Sequence, residues 1–345
     1  MQTFDTILRL YDYALPPGRI AQAPATPRDS AKLLIYERKT GQVRWSSVHD
    51  LITFLPPKCV LVLNETKVIP ARLRLSRATG GHVEILILGN ERGCVRALAN
   101  RTLRQGEFLT LNNQAGFIVR KRTGKAWVLK PTFPLAKLPS ILTRHGVMPL
   151  PPYIKHSSLT EAELRKRYQT VFAKTSGSIA APTASLHFTK RLLTQLEKSG
   201  ITIARVTLHV HLGTFAPLTD EQWKMGKLHQ ESYSIDSKTA KLLTQAKKSG
   251  RPIIACGTTV ARTLESASNA KGTITRPRGT TQLFIKEGYR FTVVDGLLTN
   301  FHVPRSSLLM LVAQLTGREK LLELYTQAIA NDFRFFSFGD AMLIL

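Results

Sequence analysis

"RLLTQLEKSGITIARVTLHV", residues 191–210, and "KLLTQAKKSGRPIIACGT", residues 241–258, carry one pattern fifty residues apart. Each opens on leucines at helical spacing, closes that stretch with lysine and Ser-Gly, and continues into apolar residues. Lysine late in a helix meets the partial negative charge of its C-terminus, and glycine takes the left-handed turn that stops it. The stretches that follow read as strands. Two copies are too few for a solenoid. The pattern therefore predicts two helix-then-strand units feeding one sheet.

Elsewhere, "KCVLVL" (58–63), "YRFTVVDG" (289–296) and "FRFFSFGD" (333–340) predict further strands. "RSSLLMLVAQLTG" (305–317) predicts a buried helix capped by Ser306, and "LTEAELRKRYQTVFA" (159–173) a helix opened by a Thr-x-x-Glu box. In "AAPTASLHFT" (180–189), Pro182 suits the first position of a helix, with Thr183 and His187 one turn apart near its start. Between residues 73 and 145 the texture changes to short strands, "GGHVEILIL", "EFLTLNN", "AGFIVRKR" and "KAWVLKP", split by Gly, Asn and Pro. The expected fold class is α/β (α+β). A larger mixed α/β catalytic domain, residues 1–72 and 146–345, carries an inserted small β-barrel-like domain at 73–145.

The 345 residues hold 49 Lys and Arg against 23 Asp and Glu, a formal +26. Such an excess attracts polyanions and makes their binding salt-sensitive, so a nucleic-acid or other phosphate-rich partner is expected. The insert is basic in its own right, with thirteen Lys and Arg against three Glu. Cys59, Cys94 and Cys256 form no CxxC pair and no zinc-like spacing. With no secretory stretch and no apolar run near the ~18 residues of a membrane span, a cytoplasmic protein without membrane contact is expected.

Ligands of α/β sheets gather at the carboxyl ends of the strands. Those ends carry Asn64, Glu65 and Thr66; His209, His211 and Thr214; Gly257, Thr258 and Thr259, with Arg262 one turn on; and Asp295, Asn300 and His302. Taken singly, a histidine there often only meets a backbone carbonyl, and Gly-Thr-Thr is an ordinary helix start. Taken together they exceed what stability requires. His187, His209, His211 and His229 could in principle ligate a metal, but HExxH and cysteine pairs are absent, so no metal is expected. GxGxxG, P-loop and GxSxG patterns are also absent.

"SIAAPTASLHFT", "VTLHVHLGTFAPL", "CGTTVARTLES", "GYRFTVVDGLLTNFHVPRSSLLMLV" and "FRFFSFGDAMLI" resemble motifs of the S-adenosylmethionine:tRNA ribosyltransferase-isomerases of queuosine biosynthesis. Upstream, "PRDSAKLLIY", "VLVLNETKVIPARL" and "MPLPPYI" resemble the same family in the same order. The resemblance implies a transferase that acts as a monomer without metal or other cofactor. It consumes S-adenosylmethionine and acts on the tRNA anticodon loop carrying 7-aminomethyl-7-deazaguanine at the wobble position. The ribosyl unit is moved and isomerised, giving epoxyqueuosine, while adenine and methionine leave.

Granted that substrate, the sulfonium acidifies the neighbouring 5′-carbon, so the site needs a base, an acid and polar groups for ribose hydroxyls. His187, His209, Glu231 and His302 are the catalytic candidates. Asn64, Thr66, Arg72, Thr183, Thr214, Gly257, Thr258, Thr259, Arg262 and Asn300 are the substrate-binding candidates. His211 and Ser185 stand where the family usually has glycine, and Thr280 and Gln282 where acidic residues are common. Two rivals compete with this reading: a non-enzymatic RNA-binding protein, which leaves the strand-end histidines and threonines without a use, and an S-adenosylmethionine-dependent RNA methyltransferase, which should carry a glycine-rich loop after its first strand.

Overall fold

The computed structural model describes residues 3–112, 115–210 and 217–345. Two compact units divide the chain. One comprises Met1–Lys67, Pro151–Leu159 and Gln169–Leu345; the other comprises Val68–Leu150 and Thr160–Tyr168.

The strands, in chain order, are β1 (Lys32–Tyr36), β2 (Val43–Ser47), β3 (Val60–Asn64), β4 (Thr66–Val68), β5 (Arg72–Arg77), β6 (His82–Glu91), β7 (Cys94–Ala99), β8 (Phe108–Asn112), β9 (Ala115–Thr123), β10 (Ala126–Pro131), β11 (Thr175–Ser178), β12 (Thr202–Leu208), β13 (Lys227–Ser234), β14 (Ile253–Cys256), β15 (Arg278–Leu283), β16 (Gly296–Asn300) and β17 (Ala341–Ile344). The first unit holds a nine-stranded sheet in the order β15-β13-β12-β3-β14-β16-β17-β1-β2. Its centre, β12-β3-β14-β16, is parallel. Antiparallel β13 and β15 extend one side, and β17, β1 and β2 the other. Side chains alternate across the sheet. Val60, Val62, Ala204, Val206 and Ala255 pack on one face, and Leu61, Leu63, Ile254 and Cys256 on the other. Both faces of the centre are covered, so β3 reads "VLVLN" without a polar alternate.

The duplicated pattern is borne out. Helices Lys190–Lys198 and Ser237–Lys248 lead into β12 and β14, with Gly200 and Gly250 in the left-handed region after them. The helix Ser307–Thr316 is capped by Ser306, whose hydroxyl accepts from the Leu309 amide.

Four expectations are corrected. "YRFTVVDG" is not a strand. The buried Glu265 carboxylate accepts from the amides of Thr292, Val293 and Val294 and the hydroxyls of Tyr289 and Thr292, which pulls this backbone into a loop. The strand is the next stretch, β16. "FRFFSFGD" is also a turn, tied by Asp340, which accepts from the Arg334 amide at 2.7 Å; "AMLI" after it forms β17. "AAPTASLHFT" forms a 3-10 turn, Thr183–His187, with Pro182 at its cap, and the α-helix begins at Lys190 behind Thr189. The helix expected across 159–173 is cut to Glu161–Arg167, although its Thr160–Glu163 capping box is present.

In the second unit β10-β7-β6-β5-β8-β9 close into a barrel. Leu73, Leu75, Val83, Ile85, Val95, Ala97, Leu109, Phe117 and Val119 are buried. Closure leaves no exposed sheet edge. The Glu161–Arg167 helix belongs to this unit, where Arg165 donates to the carbonyls of Thr143 and Gly146. Arg74, Arg96, Arg120, Lys121, Arg122 and Lys130 are exposed on the barrel strands.

Candidate functional site

A cleft opens at the carboxyl ends of the parallel strands. Thr183 and Ala184 border it from the 3-10 turn, Gly257, Thr258 and Thr259 from the end of β14, and Thr299, Asn300 and His302 from the end of β16. Tyr153, Val303, Leu308, Phe336 and Ser337 complete its wall. Six of the residues expected from sequence thus line one cavity: Thr183, Gly257, Thr258, Thr259, Asn300 and His302.

Gly257 sits at φ +93° at the cap of the helix Thr258–Ala267, and its amide donates to Leu298. The first free N–H groups of that helix, with the Thr258 and Thr259 hydroxyls, suit an anion. Asn300 ends β16. Its amide nitrogen donates to the Asp340 carbonyl and lies 3.2 Å from His187 Nε2. Its oxygen is buried and has no partner among the described residues. His302 Nε2 lies 2.8 Å from the Thr299 hydroxyl, and its backbone is held by the hydroxyls of Tyr325 and Tyr13. Burial pushes the His302 imidazole down to about 3, so it is neutral at pH 7.

The other described candidates of this unit do not line the cleft. His187 is not on its wall; it touches Asn300 from behind, and burial, with the charges of Arg334 and Arg28, pushes it down to about 4. Asn64 is spent on the protein. Its oxygen accepts from the amides of Thr66 and Leu208, and its nitrogen donates to the Leu208 carbonyl and the Thr259 hydroxyl. It locks the ends of β3 and β12 to the helix start. Thr66 holds His209 Nδ1 at 2.8 Å. The His209 ring lies on Gly177, where an added Cβ would come within 2.9 Å of it.

Glu231 and Arg262 form a buried ion pair, and Arg262 also donates to Leu283 at 3.0 Å; its Nη2 has no partner among the described residues. Each neutralises the other in the interior, as burial of charge demands. Arg72 lies in the barrel unit, 3.5 Å from Glu84. Thr214 and His211 fall outside the described residues. Ser185 is buried against Cys256 Sγ rather than facing the cleft, and Thr280 and Gln282 are exposed on the edge strand β15. Among the described residues no group of three or more His, Cys, Asp or Glu can hold a metal ion, and no helix is long and apolar enough to cross a membrane.

Sequence reasoning missed Tyr153, Thr299, Phe336 and Ser337. Tyr153 lies in "MPLPPYI", and Phe336 and Ser337 in "FRFFSFGD", both already motif stretches; their aromatic and small side chains gave no chemical signal.

Such a fold and cleft define a two-unit α/β protein with a cleft of hydroxyls, an amide and neutral imidazole at the strand ends. A model of the family described as "Queuosine biosynthesis protein" matches residues 8–344. The S-adenosylmethionine:tRNA ribosyltransferase-isomerase of Moorella thermoacetica is 44% identical over 97% of this chain and 98% of its own. That of Heliobacterium modesticaldum is 45% identical, over 97% and 99%. The crystal structure of the S-adenosylmethionine tRNA ribosyltransferase of Thermotoga maritima matches with a TM-score of 0.56 at 32% identity, covering 97% of this chain and all of that one. The chain belongs to the S-adenosylmethionine:tRNA ribosyltransferase-isomerase family.

Proposed function

We propose that this protein moves the ribosyl part of S-adenosylmethionine onto 7-aminomethyl-7-deazaguanine at the tRNA wobble position and isomerises it to an epoxycyclopentanediol. Adenine and methionine leave, and the tRNA carries epoxyqueuosine. The observation that carries this reading is the meeting, in one cleft, of residues from three motif stretches: Thr183, Gly257–Thr259, and Asn300 with His302.

The chemistry begins with loss of a proton from the 5′-carbon beside the sulfonium. Collapse of the sugar expels adenine, the neutral amine of the tRNA base attacks, and methionine is displaced. Thr258 and Thr259, at the positive end of their helix, take the methionine carboxylate. The unpaired Asn300 oxygen accepts from a ribose hydroxyl, and His302, neutral and paired with Thr299, binds another. His209, held by Thr66, is the acid–base group. His187 acts through Asn300, and Glu231 with Arg262 hold the helix that begins at Thr258. S-Adenosylmethionine is a consumed co-substrate; no metal or further cofactor takes part, and the protein works as a cytoplasmic monomer. Incubation with S-adenosylmethionine and tRNA bearing the aminomethyl base tests the reading. Adenine release supports it, and S-adenosylhomocysteine as the product refutes it.

A further inference from the structure

His302 stands on the cleft wall in the loop between β16, which ends at Asn300, and the helix that begins at Ser307. A loop has no ladder of its own, so its buried backbone groups need partners from elsewhere. Both backbone groups of His302 meet tyrosine hydroxyls. Its amide donates to Tyr325 Oη at 2.9 Å, and its carbonyl accepts from Tyr13 Oη. The two rings meet edge to face, 5.1 Å between centroids, so each braces the other.

Tyr13 belongs to a segment that grips the same loop at three points. The Tyr11 carbonyl accepts from the Arg305 amide at 2.9 Å. The Asp12 carboxylate takes the Arg305 guanidinium on one oxygen and the Tyr13 amide on the other. One side chain thus ties the far end of the loop to the residue that holds His302. Arg305 sits at φ +55°, a left-handed backbone that arginine rarely adopts and that persists only where the surroundings enforce it. Three consecutive residues therefore fix both His302 and the residue three positions beyond it, and Tyr13 does so across 289 positions of sequence.

We propose that Tyr11–Tyr13 is a strap that places His302 for substrate, with Asp12 and Tyr13 as positioning residues, neither of which lines the cleft. The proposal rests on the proposed function, in which His302 binds a ribose hydroxyl. A group held in place before substrate arrives loses less freedom on binding it.

Tyr13→Phe removes the hydroxyl alone and leaves the ring against Tyr325 and Phe335. The wild type, Tyr13→Phe, His302→Ala and the double variant are compared for S-adenosylmethionine affinity and for adenine release with modified tRNA. Loss of one hydrogen bond is expected to weaken binding and slow release by about 2- to 12-fold in Tyr13→Phe. In the His302→Ala background the same change is expected to do nothing, because the group it places is gone. A loss of equal size in both backgrounds makes Tyr13 a purely structural residue and overturns the strap. So does a folded Tyr13→Phe protein that binds and reacts like the wild type. Should His302→Ala release no adenine, the affinities alone decide. Should Tyr13→Phe not fold, Asp12→Asn takes its place with the same two outcomes; it keeps an acceptor for the Tyr13 amide and gives up the charged partner of Arg305. A His302→Ala protein that behaves like the wild type overturns the strap and leaves the proposed function standing. Wild type that neither binds S-adenosylmethionine nor releases adenine overturns that function, and the strap with it.

Discussion

The side chains of Asn300 and His187 are joined, with Nδ2 and Nε2 3.2 Å apart, so a residue on the cleft wall is oriented by a histidine one layer behind it. The amide nitrogen is also held by the Asp340 carbonyl, which leaves the oxygen as the free end. This bond requires an unprotonated His187 nitrogen facing Asn300, which its burial favours.

His187 gives the protein a pH dependence of known sign. An unfolded histidine titrates near 6.5, and the buried one near 4. Between those values the unfolded chain binds the extra proton. The contribution is therefore fully present above about pH 6.5 and is lost as pH falls through about 4. Urea unfolding at pH 7 and pH 4.5 should show the wild type losing about 2–3 kcal/mol more than His187→Gln. Equal losses would place His187 in contact with solvent. The glutamine, whose oxygen can accept from Asn300, should also keep more turnover than His187→Ala.

Glu265 organises the loop that leads into β16. Its carboxylate takes three backbone amides and two hydroxyls, and Glu265→Gln turns part of that acceptor into a donor. Bonds to a charged acceptor are the stronger kind. Thermal unfolding of the variant is expected on the order of 5–10 °C lower. A melting point within a degree of the wild type would show that the loop holds without it.

The same loop shows where the sequence could be read and where it could not. Alternating apolar residues and helix ends are local signals, so the helix–strand pairs, the strand at 60–64 and the barrel's strands at 82–91 and 126–131 could be placed from them. "YRFTVVDG" has equal β-propensity, but its amides are claimed by a carboxylate 27 to 29 residues away, which no local pattern reveals. The site divided in the same way. Polar residues at strand ends marked Thr258, Asn300 and His302. Whether a polar group faces the cleft or another side chain depends on packing, so Asn64 and Glu231, which bond to other groups of the protein, looked the same in sequence as the residues that line the cleft.

The barrel's exposed cations should bind tRNA through phosphate. Arg120, Lys121 and Arg122 are consecutive and exposed. Replacing all three with alanine should weaken tRNA binding without altering S-adenosylmethionine binding. The slope of log affinity against log salt should become shallower by about 1 for each phosphate that is no longer neutralised. An unchanged slope would mean that the tRNA lies on other cations.

In the proposed reaction adenine is expelled in the cleft at the ends of β14 and β16, with Asn300 holding the ribose. The direct measurement is the rate of adenine release from S-adenosylmethionine in the presence of modified tRNA, by the wild type and by a folded Asn300→Ala variant. Loss of a buried hydrogen bond to the reacting sugar predicts release about tenfold slower or worse, in step with tRNA ribosylation. Release by Asn300→Ala at the wild-type rate would mean that Asn300 does not hold the reacting sugar.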